Sequence, residues 1–586
     1  MSTTMASQAS PAWTSAEGIV LRDLVPRGLR ESWVSRGLCP GRDLYSLFRE
    51  HVRAAPGRDA VVDEEGVLGY AELDERVRRA AAALAAAGHG PADVIGILLP
   101  NGRDLVVAEL AVAAIGAVAL PIPPAYGDRD VASLLGRARA AALVTTPEAV
   151  RTGRFAGPYP RGLWVPGSAV EGARGLEGAT AAQVRDWRPA TPGSGAPARI
   201  LISSGSEAEP KMVAYSHDAM AGGRGNYLAA LRLGSGPMRN LVLVSLASSY
   251  GSLGMVTLAR HGGTLVLLRR FDPAAALRAI ERHRPTHVFG VPTMLRRIAE
   301  CADLGESAAE GHGPGRVGER HDGYGQACRT FPGLRALVSS GGPLQEPVRD
   351  ACVRRFGVPV INVYGSSDGV NCHTGHDPDA WRPGLAGRPD PDVAEVSVRD
   401  GDGRPAPPGA AGEIWARGPM TPLCYVAAPE LDRRYRAEGG WVRTGDLGRL
   451  DPDGTLWVLD RLRRVVIRGG LTLSPAEVER ELATHPGVAD VCCVPVPDPD
   501  LGERMCACVA PVDPGRAPSP AALTGYLRDE RGLSPRKLPE RYLLLPELPL
   551  GPTGKTCAAT LARLAARAVL ADAAGHPVRP TVPTKE

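Results

Sequence analysis

The stretch LISSGSEAEPKMVAYSH, Leu201 to His217, decides how the rest of this sequence is read. Its apolar pair Leu201-Ile202 has the character of a strand end and runs into small residues, Ser203, Ser204, Gly205 and Ser206. Small residues at a strand terminus let backbone N–H groups close around an anion, and Lys211 adds a compact positive charge. The segment therefore reads as a phosphate cradle. Yet Glu207 and Glu209 lie inside it, and an anion site has no evident use for carboxylates. A working nucleotide loop, a damaged one and one altered for another task are all open on this segment alone.

Composition narrows the setting. Lysine and arginine total 68 in 586 residues, but only four are lysine: Lys211, Lys537, Lys555 and Lys585. Arginine, alanine and glycine dominate, as in products of GC-rich genomes. Where arginine is the default cation, a lysine in a loop of Gly, Pro, Ser and Thr marks a place that needs a rotatable ammonium, and Lys211 and Lys555 both sit in such loops. The formal net charge of +4 and the lack of a basic block argue against nucleic acid. No apolar run approaches the roughly 20 residues of a membrane span. The start, MSTTMASQASPAWTSAEG, lacks the basic-then-apolar pattern of a signal peptide. The eleven cysteines show no C-x-x-C pair, and Cys492-Cys493 and Cys506-Ala507-Cys508 fall in apolar runs where buried thiols are expected. The sequence thus predicts a soluble cytoplasmic protein with no structural metal.

Working outward, helix and strand patterns alternate from about residue 40. DLYSLFREHVRAA and AELDERVRRAAAALAAAG have amphipathic helical spacing, while VIGILLP, AVALPIP and AALVTT read as buried strands. The alternation continues through NLVLVSLA, GTLVLL, AAALRAIERHRP, HVFGV, LRALVSS and PVINVYG. This predicts an α/β fold with largely parallel, helix-covered sheets. Leu304 to Gln326 lacks apolar periodicity and reads as a surface insertion. After residue 390 short strands and turns predict a β-rich subdomain. From Arg461 a further α+β alternation predicts a small separate domain. The expected divisions are a 1–39 extension, a 40–460 N-terminal domain, a 461–574 C-terminal mobile domain and a disordered tail at 575–586.

Further loops fit a nucleotide. SSGGPL (Ser339–Leu344) and VYGSSDG (Val363–Gly369) each follow an apolar strand run, and ligands of open α/β sheets bind at the carboxyl ends of strands. WVRTGDLG (Trp441–Gly448) offers Asp446 in a turn. LDRLRRVVIRGGLTLSPAEVE and LPLGPTGKT follow in order. Each is weak alone; in this order and spacing they are specific. Together they resemble the adenylate-forming superfamily of acyl-CoA synthetases, nonribosomal-peptide adenylation domains and luciferases, over roughly residues 40 to 570. The resemblance implies a large N-terminal domain and a small C-terminal domain that rotates between two half-reactions. A carboxylic acid and MgATP give acyl-AMP, and then a thiol such as coenzyme A displaces AMP. It implies that Ser203 to Lys211 contacts phosphate, that Gly341, Gly342 and Pro343 flank adenine, and that Tyr364, followed by Gly365 and Ser367, stacks on the base. It implies that Asp446 binds ribose, that Arg461 contacts ribose or phosphate, and that Lys555 stabilises the adenylation transition state. Gly469 and Gly470 would line the pantetheine path, Asp368 would help hold Mg2+, and Ser249, Tyr250 and Gly251 would border the acyl pocket. Asp460 and Arg464 would form the hinge.

The departures from that pattern are uneven. Glu207 and Ala208 stand where the family has a hydroxyl residue and glycine. Ser367-Asp368 replaces Thr-Glu, Asp460 replaces glycine, Arg464 replaces the usual pivot, and Ala558 replaces an arginine. The parts expected to touch AMP look intact, and those expected to touch the outgoing phosphates look changed. A carboxylate about 4 Å from a phosphate charge, at an effective dielectric near 20, costs on the order of 4 kcal/mol. The sequence therefore predicts an acyl-CoA ligase of a bulky acid, fitting secondary-metabolite biosynthesis, with ATP-dependent adenylation impaired and preformed acyl-AMP from a separate adenylating enzyme as substrate. A stand-alone enzyme loading a carrier protein is the alternative, and a non-catalytic adenylate-binding protein a second one.

Overall fold

Val94–Leu98 and Val118–Pro121 carry aliphatic residues with no polar alternation, so both faces of each strand need cover, and every residue in both is buried. They lie side by side, parallel, in the middle of an eight-stranded sheet. A computed structural model describes residues 11–154, 159–203, 210–302, 319–321, 327–329, 331–367, 369, 371–375, 377–462, 466–468, 471–498, 501–533, 535–551 and 555–573. Towards one edge the eight-stranded sheet passes through the antiparallel hairpin Pro197–Ser203 and Lys211–Ser216, with Ser203 directly opposite Lys211, to the edge strand Cys424–Tyr425.

A second, fourteen-stranded sheet has a parallel middle of Asp59–Asp63, Thr264–Leu267, Arg239–Val242, His287–Gly290, Ala336–Ser340 and Val360–Gly365. Helices lie between the two sheets. Arg103–Ala114 is buried from Leu105 onwards and Leu253–Ala259 throughout, as expected of helices packed on both sides. One apolar cluster joins both sheets through them, from Ile95 and Leu201 to Val61 and Val242. The β-rich stretch continues this sheet instead of standing apart from it. Asn371–His373 pairs antiparallel with Val360–Gly365, and Leu385–Pro389, Leu456–Arg461, Trp441–Leu450, Ala411–Arg417 and Glu395–Arg399 follow in order. An unpaired edge of the parallel part needs backbone partners, and these strands supply them.

The described residues before residue 40, from Pro11 on, are built into this body. The Arg30 guanidinium pairs with Asp23 at 2.9 Å and donates to the Thr421 carbonyl at 2.9 Å. Beyond Arg461 a five-stranded sheet forms around the long ladder of Val488–Asp498 and Gly502–Pro511. Cys492 lies opposite Cys508 on it, and both are buried with Cys506 beneath the helix Ala558–Ala573. Among the described residues no helix is long and apolar enough to cross a membrane. The surface insertion read at 304–326 and the tail at 575–586 lie largely or wholly outside the described residues.

Close packing at one glycine offers a test. A Cβ on Gly223 would come within 2.2 Å of the Met420 backbone, whereas one on Gly136, also helical, meets nothing within 4 Å. Gly223→Ala is expected to lower stability by roughly 1–3 kcal/mol through overpacking. Gly136→Ala is expected to raise it by about 0.5–1 kcal/mol through helix propensity. Urea unfolding followed by tryptophan fluorescence compares the two, and equal midpoints would contradict the packing.

Candidate functional site

Because the strands of the second sheet's middle run parallel, their carboxyl ends meet at one edge, and the segments after Val242, Gly290, Ser340 and Gly365 converge there. The chain leaves Ala336–Ser340 through Gly341 at φ +89°, a left-handed conformation that glycine adopts without strain. A Cβ here would also come within 2.7 Å of Lys555 Cε. Gly341 is therefore where backbone yields to the lysine, and exposed Gly342 and Pro343 continue past it. Tyr250 ties the segment after Arg239–Val242 to the same edge: its hydroxyl donates to the Val338 carbonyl at 2.8 Å while its ring packs on Phe289. Gly251 beside it is obligatory, since a Cβ would sit 2.0 Å from the Ser245 carbonyl oxygen.

A buried carboxylate organises the opening of this edge. Asp446 is 3% exposed on the strand Trp441–Leu450, directly opposite Arg461 across the ladder to Leu456–Arg461. Its Oδ2 accepts the Tyr364 hydroxyl at 2.7 Å, and its Oδ1 faces Arg461 Nε at 3.2 Å. Its own N–H donates to Thr444 Oγ1 at 3.1 Å. Burial and the adjacent carboxylate hold the Tyr364 phenol protonated, well above its ordinary pKa, so it stays a donor. An ionised carboxylate has about four lone-pair sites, so Asp446 can accept from several donors at once.

Lys555 arrives at the same place from the small domain. Burial, and then the Arg461 guanidinium, push its ammonium down to about 8, against the pull of Asp446. Its surface opens onto the cleft, which screens part of that burial, while Arg461 acts in the same direction. The structure thus brings Gly341, Tyr364, Asp446, Arg461 and Lys555 together. Asp460 bridges to the small domain: its Oδ2 accepts from Ser474 Oγ at 2.5 Å and from the Ala476 N–H at 3.3 Å, at the start of the helix Pro475–Leu482. Its Oδ1 accepts the Arg461 N–H at 2.7 Å. Arg296 adds a second link, donating to the Ala489 carbonyl at 3.0 Å.

Other expected residues are placed differently or not at all. Lys211 is buried in its strand with Nζ 3.7 Å from the Tyr435 ring centroid and 5.7 Å from that of Tyr425. A desolvated cation over two aromatic rings is held electrostatically. Tyr435 also lies beneath Gly445, next to Asp446, so Lys211 borders the cleft from behind. Gly365 ends its strand, and the Ser367 carbonyl accepts the Tyr215 hydroxyl at 2.8 Å. Ser249 is held by Arg224, at 2.9 Å to its carbonyl and 3.0 Å to its hydroxyl. Ser204, Gly205, Ser206, Glu207, Asp368, Arg464, Gly469 and Gly470 lie outside the described residues, as does the Ser203 side chain. Sequence reading missed Tyr215, Arg224 and Tyr435; Arg224 alone carries a local signal, the glycine-flanked AGGRGN, which marks close packing but names no partner.

Residues 48–426 match the family model of the AMP-binding enzyme, and residues 477–555 match that of the AMP-binding enzyme C-terminal domain. The salicyl-AMP ligase / salicyl-S-ArCP synthetase of Mycobacterium tuberculosis is 31% identical over 562 residues, covering 90% of this chain and 92% of its own. A feruloyl-CoA synthase of an Amycolatopsis species is 32% identical over 513 residues, covering 86% and 95%. Among solved structures, the amide bond synthetase McbA from Marinactinospora thermotolerans superposes with a TM-score of 0.76 at 31% identity, covering 89% of this chain and 99% of its own.

Two predictions follow from the geometry around Lys555 and Asp460. A lysine with a lowered pKa is cationic below it and neutral above it, so kcat/KM for ATP-dependent acyl-AMP formation should fall as pH rises through about 8. Lys555→Arg, which stays charged, should lose that alkaline limb even at reduced rate; a limb unchanged in this variant would assign it to another group. Asp460→Ala removes two hydrogen bonds to the small domain, each worth about 1.5–3 kcal/mol when charge-assisted. It should slow acyl-AMP formation by about tenfold or more and leave thioester formation from supplied acyl-AMP unchanged or faster. Parallel stopped-flow measurement of both half-reactions checks this, and equal losses in both would contradict it.

Proposed function

We propose a function from one premise: the chain belongs to the AMP-binding enzyme family, whose model matches well over half of it. The protein is an acid–thiol ligase that handles an acyl-adenylate at the strand edge and transfers its acyl group to coenzyme A. The observation that carries this reading is the meeting of Lys555, from the small domain, with Gly341 and the Tyr364–Asp446–Arg461 cluster.

In the first half-reaction the carboxylate oxygen of the acid bonds to the α-phosphorus of ATP and the bond to the β-phosphate oxygen breaks, giving acyl-AMP and pyrophosphate. Negative charge on the α-phosphate and carboxylate oxygens faces the Lys555 ammonium, held in place before reaction. Asp446 would accept the ribose hydroxyls, and Tyr364, its hydroxyl anchored on Asp446, would present its ring to the base. Magnesium, expected at Asp368 outside the described residues, supplies charge neutralisation on the phosphates when bound. In the second half-reaction the thiol sulfur bonds to the acyl carbon, the acyl–phosphate bond breaks, and AMP and the thiol proton leave. Lys555 has no part in that step, so the small domain is free to turn.

Glu207 and Ala208 weigh on the first half alone, because the like-charge contact is with the β- and γ-phosphates, which acyl-AMP lacks. On this reading ATP-dependent adenylation is slow and acyl-AMP made by a separate enzyme is the better substrate. The acid is bulky and belongs to secondary metabolism. A carrier-protein thiol is the second reading for the acceptor, favoured by the likeness to a relative named for loading a carrier.

The test pairs ATP–pyrophosphate exchange with thioester formation from synthetic aryl-AMP, using CoA or a phosphopantetheinylated carrier as acceptor. Expected are thioester formation with CoA, weak exchange in the wild type, and exchange raised by about tenfold or more in Glu207→Thr/Ala208→Gly. Strong wild-type exchange that the double variant loses would show that Glu207 serves ATP. Absence of thioester with either acceptor would overturn the ligase assignment.

A further inference from the structure

Gly418 to Leu423 carries the chain from Ala411–Arg417 in the fourteen-stranded sheet to Cys424–Tyr425 at the edge of the eight-stranded one. The segment belongs to no strand, yet Met420, Thr421 and Leu423 are at most 1% exposed. Its buried carbonyls need partners from outside, and the N-terminal residues supply them. Arg30, on the helix Arg27–Ser35, donates through Nη1 to the Thr421 carbonyl at 2.9 Å and, more loosely, through Nη2 to the Pro422 carbonyl at 3.5 Å. The Leu24 N–H donates to the Leu423 carbonyl at 3.2 Å. Arg30 is itself fixed by buried Asp23, which takes Nε at 2.9 Å and Nη2 at 3.0 Å in a two-pronged pair.

The other side of this segment meets the turn that follows Tyr364. That turn, Ser366 to Gly369, has one described backbone hydrogen bond of its own, from the Gly369 N–H to the Ser366 carbonyl, stretched to 3.4 Å. A bond that long holds weakly, so the neighbours set where the turn lies. Gly369 sits at φ +102°, and a Cβ on it would come within 2.9 Å of Pro422 Cδ and 3.2 Å of Thr421 Cα. On the opposite side the Ser367 carbonyl accepts the Tyr215 hydroxyl at 2.8 Å. The turn is thus wedged between the strand Lys211–Ser216 and the two residues whose carbonyls Arg30 holds. A second contact reaches the strand of Asp446. Val25, Pro26 and Leu29 have atoms within 3.4 Å of the place a Cβ on Gly440 would take, and Trp441–Leu450 begins at the next residue.

We propose that Arg30 is a positioning residue of the nucleotide site: through the carbonyls of Thr421 and Pro422 it fixes the turn Ser366–Gly369, and with it the placement of the AMP moiety beside Tyr364. Arg30 touches no substrate, and the N-terminal residues become a working part of the site through the backbone they hold. The reacting acyl carbon lies beyond the part of the ligand that this turn meets. Loosening the clamp therefore weakens binding of anything that carries AMP and leaves the acyl-transfer step itself unchanged. This deepens the reading of the strand edge as an acyl-adenylate site and rests on it.

The experiment uses the full chain and AMP, titrated by calorimetry, with thioester formation from synthetic aryl-AMP and CoA as the second readout. Arg30→Lys keeps a cation beside Asp23 and loses the fork that reaches two carbonyls. Asp23→Asn/Arg30→Gln removes both charges together, so neither is left buried alone. The Kd for AMP should rise about 3- to 30-fold in the double variant and by a smaller factor in Arg30→Lys. KM for aryl-AMP should rise in parallel while kcat stays within about twofold. Two controls separate placement from stability. Arg27→Ala loses an exposed pair with Glu31 on the same helix, and Ile280→Val lowers the unfolding midpoint from a different apolar cluster; both should bind AMP as the wild type does. Amide exchange over Val360–Gly375 should quicken in Arg30→Lys, with the small-domain ladder at Val488–Asp498 unchanged. Cooperative thermal unfolding confirms each variant's fold. Wild-type affinity for AMP in the folded Arg30 variants overturns the proposal and leaves the adenylate site standing. So does a loss of affinity that Ile280→Val reproduces, or a fall in kcat with KM unchanged. Failure of the wild type to bind AMP or aryl-AMP overturns the adenylate reading and this proposal with it.

Discussion

The buried carboxylate of Asp446 is the constraint on which the rest of the site depends. A charged group with 3% exposure persists only if its oxygens are satisfied, and here each is engaged by a different element. Tyr364 comes from the last strand of the parallel run, and Arg461 from an antiparallel strand inside its β-rich extension. The carboxylate therefore fixes two halves of one fourteen-stranded sheet against each other at the edge where its parallel strands end. Arg461 in turn sets the field in which Lys555 sits, so a cation from another domain is tuned by the partner of a buried anion.

The border between the domains obeys the same logic. Asp460 is still paired in the ladder of the large sheet, and it spends one oxygen on the Arg461 amide and the other on the first turn of a small-domain helix. Glycine at that position has no side chain with which to hold the helix. A carboxylate there favours the arrangement in which Lys555 meets Gly341, because a helix N-terminus attracts negative charge. Asp460 thus holds a strand of the large sheet and the start of a small-domain helix at once.

Behind the strand edge, three cations are buried where the packing could have been apolar. Lys211 rests on Tyr435, Arg199 pairs with Glu109, and Arg224 is shared among hydroxyls and a carbonyl. Lys211 is placed by its strand against the aromatic pair Tyr425 and Tyr435. Arg224 resembles Lys211 in this respect, its guanidinium lying 4.8 Å over the Tyr215 ring while hydroxyls and a carbonyl take its donors.

The sequence by itself determined the fold class, the order of elements and most of the cleft. Unbroken aliphatic runs such as Val94–Leu98 announce buried parallel strands, and the loops at Gly341, Tyr364, Asp446 and Lys555, which the structure brings together, are legible as turn and small-residue motifs in a fixed order along the chain. What it could not supply were partners distant in sequence. That Tyr364 bonds Asp446, 82 residues away, that Lys211 lies over Tyr435, and that Arg224 shares its donors with Ser249 and Tyr215 all depend on which strands become neighbours. Nor could it show that the β-rich stretch continues the parallel sheet, since alternation specifies a strand's faces and not the edge it joins. Local pattern encodes what a segment must bury; only the folded chain decides what it is buried against.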